Sequence, residues 1–419
     1  MSTRVICLLM VIISAVWVGE SRGADAASGE DSTSAGALSI YVDCDGCDFD
    51  YLKEELSFVN FVRDRQFADV HLLVTSQETG GGGREYEIEV IGKRSFAGLA
   101  DTVDFLTTES DTDDILRTKM AHSMKLALVR YVLRTPQAEH LQLDYDRPAV
   151  VAETIDKWNH WVFELSLSSW LNGEEGYRSL SLSSDIEARR VTEKSRVELG
   201  IWAYYDESKF DYGDFRTLSI SRSQELYGNY VWGLTDHWSL DFYSETYSSK
   251  YSNLKLRLWN APGIEYNIFP YQESNRRELR FVGRIPAIYA EYDEETIYGK
   301  TSEWLFRCQL SVTLGMIEPW GSAGVSLYGS SYLHDFQKNR LQLYGDISLR
   351  IIEGLSLELS SSYTRVRDQL ALRRGDASEE EILLRQHELE TKYTYYVSVG
   401  ISYSFGSIYS SILNPRFGG

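Results

Sequence analysis

Three sets of side chains in this sequence have types and spacings that could do chemistry. Cys44 and Cys47 form a Cys-x-x-Cys pair set among Asp43, Asp45, Asp48 and Asp50. Such a pair is either a redox dithiol or a local disulfide, and the four carboxylates could in principle gather a divalent cation. A redox motif needs a thioredoxin-like strand and helix, which is not evident, and a calcium-binding loop needs a later glutamate, which is missing. The expectation is therefore a disulfide that staples a turn, with no metal and no cofactor. His237 and Ser239 flank Trp238 with the spacing of a base and a nucleophile. The third set is charged. Glu164, Asp185, Glu187, Glu198, Asp241 and Glu245 precede Arg257, Arg280, Arg284, Arg307, Arg340 and Arg350, so acids and bases separate along the chain. Walls of fixed charge are how pores select solutes.

What these groups can do depends on the elements that hold them. The 419 residues carry a net charge of -20 and a sequence pI near 4.9, which excludes nucleic acid as the main partner, because phosphate binding needs clustered Lys and Arg. Aromatic residues make up 13%, with 28 Tyr and 10 Trp at a mean hydropathy of -0.30. That combination suits surfaces apolar at one end and wet at the other, as at a membrane interface. Met1 to Arg4 is a short basic start, Val5 to Val18 an apolar run, and Ser21, Gly23, Ala24 and Ala26 are small. This is the layout of a secretory signal peptide over residues 1–26. Cys7 lies inside the apolar run, too early for a lipid-modified cysteine. No later stretch reaches 18 consecutive apolar residues, so no second helical span is expected.

The remainder divides near Asp156. Residues 27–156 hold 25 acidic against 12 basic side chains, whereas 157–419 hold 35 against 28. The first part reads as a small α+β domain. Leu38 to Val42 suggests a strand, and Asp50 a cap for a helix running to about Arg65. Val70, Leu72 and Val74 alternate with Asp69, His71 and Thr75. Tyr86, Ile88 and Val90 alternate with Glu85, Glu87 and Glu89 across a tip at Gly80 to Gly83, which predicts a hairpin with a solvated acidic face. A helix over about Thr112 to Leu133 and a last strand near Leu141 to Tyr145 complete a β-α-β-β-α-β order, with Ala100 to Thr107 a further strand.

From residue 157 the chain alternates with period two. Tyr393, Tyr395, Val397, Val399, Ile401, Tyr403 and Phe405 are apolar or aromatic, and the residues between them are mostly small and polar. Seven large apolar residues on one face of a strand, opposite a small polar face, fit a lipid-facing barrel wall better than a soluble sandwich. The same pattern marks twelve strands. Short turns fall at Thr192-Glu193, Thr235-Asp236, Tyr271 to Asn275, Glu318 to Gly321 and Glu353-Gly354, and longer polar loops lie between them, the longest near Leu370 to Glu390. Trp158, Trp161, Trp232, Trp238 and Trp320 fall near the short-turn side and Trp170, Trp202 and Trp304 toward the other rim, as two aromatic girdles would.

On these residues the chain resembles the outer-membrane β-barrels of Gram-negative bacteria, and is similar to the salt-induced outer-membrane protein family. The resemblance covers about residues 157–419. It implies an α+β periplasmic domain over 27–156 followed by an antiparallel transmembrane β-barrel, in contact with outer-membrane lipid. Gly400, Tyr403 and Phe405 match the glycine-x-x-aromatic-x-aromatic signal read by the barrel assembly machinery, although here Gly406 to Gly419 follow it. Outer-membrane lipases and lipid A deacylases resemble each other in a His-x-Ser pair. In this chain Trp238 takes the outward position, so His237 and Ser239 point into the lumen at the short-turn end, away from lipid substrate. No enzymatic activity is expected. Two functions follow from the barrel reading. One is a pore or transporter for small polar solutes with a charge-segregated lumen. The other is a non-conducting anchor whose periplasmic domain binds a protein or cell-wall partner, its lumen closed by pairing of the two walls.

Overall fold

A computed structural model of the chain describes residues 36–142, 156–212, 215–375 and 388–407. The expected signal peptide and the tail beyond Ser407 lie outside the described residues, as does most of the expected strand at Leu141 to Tyr145. Among the described residues no helix is long and apolar enough to cross a membrane.

The first part is a five-stranded sheet with two helices. Its elements are β1 (Ser39–Asp43), α1 (Phe49–Glu55), β2 (Asn60–Phe61), β3 (Val70–Glu78), β4 (Arg84–Gly92), β5 (Ala100–Leu106) and α2 (Asp113–Val132). The sheet order is β2-β1-β3-β4-β5, with β1 parallel to both neighbours. Asp48, not Asp50, caps α1 by accepting from the Tyr51 N–H at 3.0 Å. Thr112 caps α2, and Asp113 and Asp114 in its first turn complement the helix dipole. Leu52, Ile88, Val90, Met124 and Leu128 are fully buried between helices and sheet. Pro136–His140 forms a 3-10 turn where the chain leaves the domain.

The second part is one antiparallel meander. Its strands are β6 (Trp161–Glu174), β7 (Tyr177–Val191), β8 (Ser195–Tyr212), β9 (Phe215–Gly233), β10 (Trp238–Ser249), β11 (Leu254–Asn267), β12 (Arg277–Arg284), β13 (Ala287–Tyr292), β14 (Ser302–Glu318), β15 (Gly321–Tyr332), β16 (Asp335–Ile352), β17 (Leu355–Val366) and β18 (Tyr393–Tyr403). Thirteen segments occupy twelve positions, because β12 and β13 both lie between β11 and β14. Arg284 pairs with Gly263 and Gln309, and Ala287 with Asn260 and Phe306, so the register passes the break unchanged. Pro286 has no N–H to give the ladder, which is why one strand reads as two. Twelve strands is the number the alternation predicts.

The sheet is rolled. Arg350 on β16 and Arg189 on β7 both grip the small domain, through Asp43 and Glu78. Asp43 is in register with Leu73, five residues before Glu78, so the two acids stand about 18 Å apart. In a flat sheet the eight spacings from β16 to β7 would span about 38 Å. Rolling brings both arginines over one small domain. β6 and β18 end the strand order, and each pairs on one side among the described residues.

The short turns fall where the sequence places them. The opposite side differs from expectation, because β6–β7, β8–β9 and β15–β16 are linked as tightly as the short turns. Polar stretches such as Asp206 to Asp211 and Arg216 to Arg222 continue the ladder, so β8 and β9 reach 18 and 19 residues, well beyond the ~10 that cross a bilayer. On that side Lys250–Asn253, Asp293–Thr301 and Arg367–Lys392 are the longer connections. At the turn between β16 and β17, Gly354 has φ +68°, and a Cβ there would lie 2.0 Å from the Ser404 carbonyl oxygen. Its N–H donates to Asp64 of the small domain at 2.9 Å.

Candidate functional site: the lumen face and its two ends

The alternation that exposes Leu165, Ile201, Phe242, Leu310 and Ile401 on the outer face turns the charged set inward, onto one connected surface. On the acidic side Arg189 bridges Glu164 and Glu187 at 3.2 Å each, and Arg196 holds Glu198 at 2.8 Å. Asp185 pairs in register with Trp202. Where the acidic and basic sides meet, Arg257 pairs with Glu245 at 2.5 Å, Arg284 with Asp241 at 2.6 Å, and Arg280 approaches Glu278 at 3.7 Å. Each of these contacts joins the same or nearby strands. Among the described residues no ion pair crosses the lumen from β6–β9 to β14–β17.

The outer end of the basic wall is met by the connection after β17. Asp368 accepts from Arg340 Nε at 2.9 and 3.0 Å and from Arg307 Nη2 at 3.1 Å. Leu370 packs with Ile288, Leu305 and Tyr332, and Ala371 with Leu254, Ala290 and Tyr292. These partners share the inward register of Arg307, so the segment from Asp368 to Leu372 lies on the lumen face. Asn253 donates to the Ala371 carbonyl at 2.8 Å, Ile297 N–H to the Leu372 carbonyl at 2.8 Å, and Arg374 to Glu295 at 3.0 Å. Beneath the segment a cavity of about 440 Å³ is lined by Arg257, Arg284, Arg307, Arg340, Trp259 and Tyr332, among others.

The inner end is met by the small domain. Arg350 Nη2 donates to Asp43 Oδ1 at 2.5 Å, with a second contact from Nη1 to Oδ2. Arg276 pairs with Glu89 at 2.6 Å and with Glu318 at 3.0 Å, and Asn275 donates to Glu87 at 3.2 Å. The face of β4 expected to be solvated is therefore a docking face, because turns of the large sheet supply its counter-charges. His71, on the neighbouring strand, lies close to the same seam. β3 is central in its sheet and covered on both faces, so His71 is fully buried, 3.4 Å from Asp43. Burial pushes the His71 imidazole below its ordinary pKa and outweighs the pull of Asp43. For Asp43 burial acts upward, but the Arg350 hydrogen bonds, with the His71 ring 3.4 Å away, prevail and hold its carboxyl at about 2.

Other expectations resolve locally. Cys44 and Cys47 are disulfide-bonded, with Cα atoms 5.8 Å apart. The surrounding acids disperse, Asp43 to Arg350, Asp48 to Arg117 at 3.2 Å and Asp50 to Lys53 at 3.8 Å, and no metal-binding cluster forms among the described residues. His237 Nδ1 meets the Asn267 carbonyl and Ser239 Oγ meets the Tyr271 hydroxyl, each at 2.9 Å, so the two form no base–nucleophile pair. Trp161, Trp232 and Trp238 sit on the outer face beside the short turns, and Trp304 on the outer face at the far end. Trp170 and Trp202 do not join that second girdle. They pair in register with Ser181 and with Asp185 and Glu225, on the lumen face. Gly400 and Tyr403 lie on β18, where the Tyr403 ring stacks on Phe405 at 5.5 Å.

Four lumen residues escape a reading of charge blocks. Glu225 and Tyr243 follow the inward register of β9 and β10 and were findable by extending it. Trp259 hides as an aromatic on an inward position. Asp368 sits in a polar loop with no periodic signal.

No family model and no curated protein matches the chain, so similarity to the salt-induced outer-membrane protein family has no support from that direction. Solved structures with a similar course include the NanC porin, at 10% identity and TM-score 0.28, matched over 57% of this chain and 99% of that one. The β domain of the Bordetella autotransporter BrkA gives 13%, 0.25, 58% and 98%. CdiB from Acinetobacter baumannii gives 10%, 0.28, 88% and 74%. At such TM-scores the barrel architecture rests on the strand register of the chain itself.

Proposed function

We propose that this chain is an outer-membrane pore or transporter for small polar solutes, exported by residues 1–26 and inserted with its small domain in the periplasm. The observation that carries the reading is the lumen face. Its acids and arginines pair with near neighbours instead of across the barrel, so two walls of unlike charge remain, and on the basic one Arg257, Arg284, Arg307 and Arg340 line a cavity of about 440 Å³. Twelve strands stand between the eight that fill their interior and the sixteen that leave an aqueous channel. Outer-membrane lipid covers the apolar face, and the assembly machinery would read Gly400, Tyr403 and Phe405. Single-channel recordings on the purified full chain test the proposal. Conductance is expected, with an ion preference that shifts when Arg284 and Arg307 are both replaced by Ala. An absence of conductance in both proteins would overturn it.

A second reading, a non-conducting anchor, is favoured by one observation: Arg350, Arg276 and Arg189 seat the small domain against the short-turn rim. In that case the domain should pull down a specific periplasmic protein or cell-wall partner from envelope extract. An empty pull-down counts against it.

A further inference from the structure

We infer that Arg307 and Arg340 form a binding site for a small organic carboxylate with an apolar body, and that Asp368 occupies this site as an internal stand-in. The inference rests on the pore reading for its biological sense but not for its chemistry. Two guanidiniums converge on one carboxylate whose side chain is 4% exposed. Paired guanidiniums make the strong, charge-assisted geometry that carboxylates recognise. Arg307 is only 8% exposed, and its donors are not used up. Nη2 serves both Asp368 and the Ser330 hydroxyl, while Nε is buried with no partner. A buried donor left unmade is costly, so the site has capacity for a better acceptor than the one in place.

The remainder of the segment defines the ligand. Two residues after Asp368, Leu370 covers Ile288, Leu305 and Tyr332, with Trp259 packed alongside. The segment therefore offers a carboxylate followed by an apolar group to a two-arginine site followed by an apolar floor. A solute carrying the same two features competes for both at once. Its binding would release Asp368 and Leu370 together, and with them the inward course of the connection after β17. A carboxylate without an apolar body replaces half of what it displaces, and a neutral aromatic replaces the other half. Both should be weak.

Isothermal titration on the detergent-solubilised full chain tests the site, with benzoate, acetate and benzamide as probes. Benzoate is expected to bind at least tenfold more tightly than either of the others. Asp368→Asn should tighten benzoate binding about tenfold by weakening the internal competitor, and Arg340→Ala should abolish it in a protein whose far-ultraviolet circular dichroism is unchanged. Equal binding of benzoate to wild type and Asp368→Asn, or equal binding of the three probes, would overturn the inference. Bilayer recordings separate this from the pore reading. Benzoate binding with no conductance in wild type or Asp368→Asn removes the pore and keeps the site. Conductance that is indifferent to benzoate and to Asp368→Asn removes the site and keeps the pore.

Discussion

β4 and β18 alternate with the same period and mean opposite things. In β4, Ile88 and Val90 are fully buried and Glu85, Glu87 and Glu89 point away. In β18, Tyr395 and Ile401 are 71% and 73% exposed, and Ser398, Gly400 and Ser402 face inward. The physical rule is shared, since each strand turns its apolar residues to whatever excludes water. For β4 that is a packed core under α2. For β18 it is a layer outside the chain, which the exposed apolar face of the large sheet requires. The polar faces differ too. That of β4 is met by arginines of the large sheet, whereas the lumen face makes ion pairs mainly within itself. Periodicity thus reports that a strand has two faces, and the surrounding volume decides which face is inside.

The largest test of this contrast is truncation in the core. Leu128 is fully buried, and Leu128→Ala should destabilise the small domain by about 2–5 kcal/mol. Leu167→Ala, at a residue 78% exposed on the outer face, should leave chemical stability in micelles almost unchanged. Urea unfolding of the full chain followed by hydrogen exchange in each region would measure both, and equal losses would erase the distinction. Val399→Arg supplies the opposite sign. An arginine on the lipid face costs about 2–4 kcal/mol at the bilayer midplane, so it should depress refolding into liposomes.

Next in size is the seam between the regions. Arg350→Ala leaves Asp43 beside buried His71 with its main counter-charge gone, and should weaken docking of the domain by about 2 kcal/mol. Accelerated proteolysis in the chain between the five-stranded sheet and β6 is the expected readout. Arg189→Ala and Arg276→Ala, at more open contacts, should have smaller effects, so a reversed ranking would place the seam elsewhere.

Acid acts on the same seam. His71 is held neutral, its folded pKa below the ordinary value, so the folded state binds fewer protons than the unfolded one. Its contribution is complete above about 6.5 and declines as pH falls through that value toward the lower folded pKa. Asp43 is held ionised at about 2, so its contribution is present above about 4 and is lost between about 4 and 2. Both signs agree, and lowering pH should loosen the domain in two stages. In His71→Gln the upper stage should vanish from a stability titration while the lower one remains; persistence of both would exclude His71 as the upper group.

Much of this was legible in residue types and spacing. The twelve strands, the short turns, the disulfide spacing and the inward register of Arg307 and Arg340 follow from period two, because a strand has only two faces. What stayed hidden depends on non-local partners. Glu87 and Glu89 read as solvated because Asn275 and Arg276 are nearly two hundred residues away. The full burial of His71 has no signal in the alternation, which cannot tell a central strand from an edge. Asp368 lies in a segment without periodicity, placed by two arginines on other strands. The polar extension of β8 past Trp202 reads as loop because it lacks apolar alternation, whereas a ladder needs only backbone partners.

The finest test concerns tryptophan, where the same residue type lies on both faces of the large sheet. Trp304 is 65% exposed on the outer face and tilts against Tyr289 at 5.2 Å, as an interfacial anchor would. Trp202 lies between Asp185 and Glu225 and stacks on Tyr204 at 6.0 Å, within the lumen. Lipids brominated along their acyl chains quench tryptophans that touch them and spare those that do not. Trp304→Phe should therefore lower the quenchable share of emission by roughly a ninth, one residue among the nine tryptophans that follow residue 26, while Trp202→Phe lowers total emission and leaves that share unreduced. If the two substitutions act alike, the inward register of β8 is wrong by one residue. A one-residue slip moves every side chain of a strand to the other face, so it would also carry Glu198 and Gly200 out of the lumen.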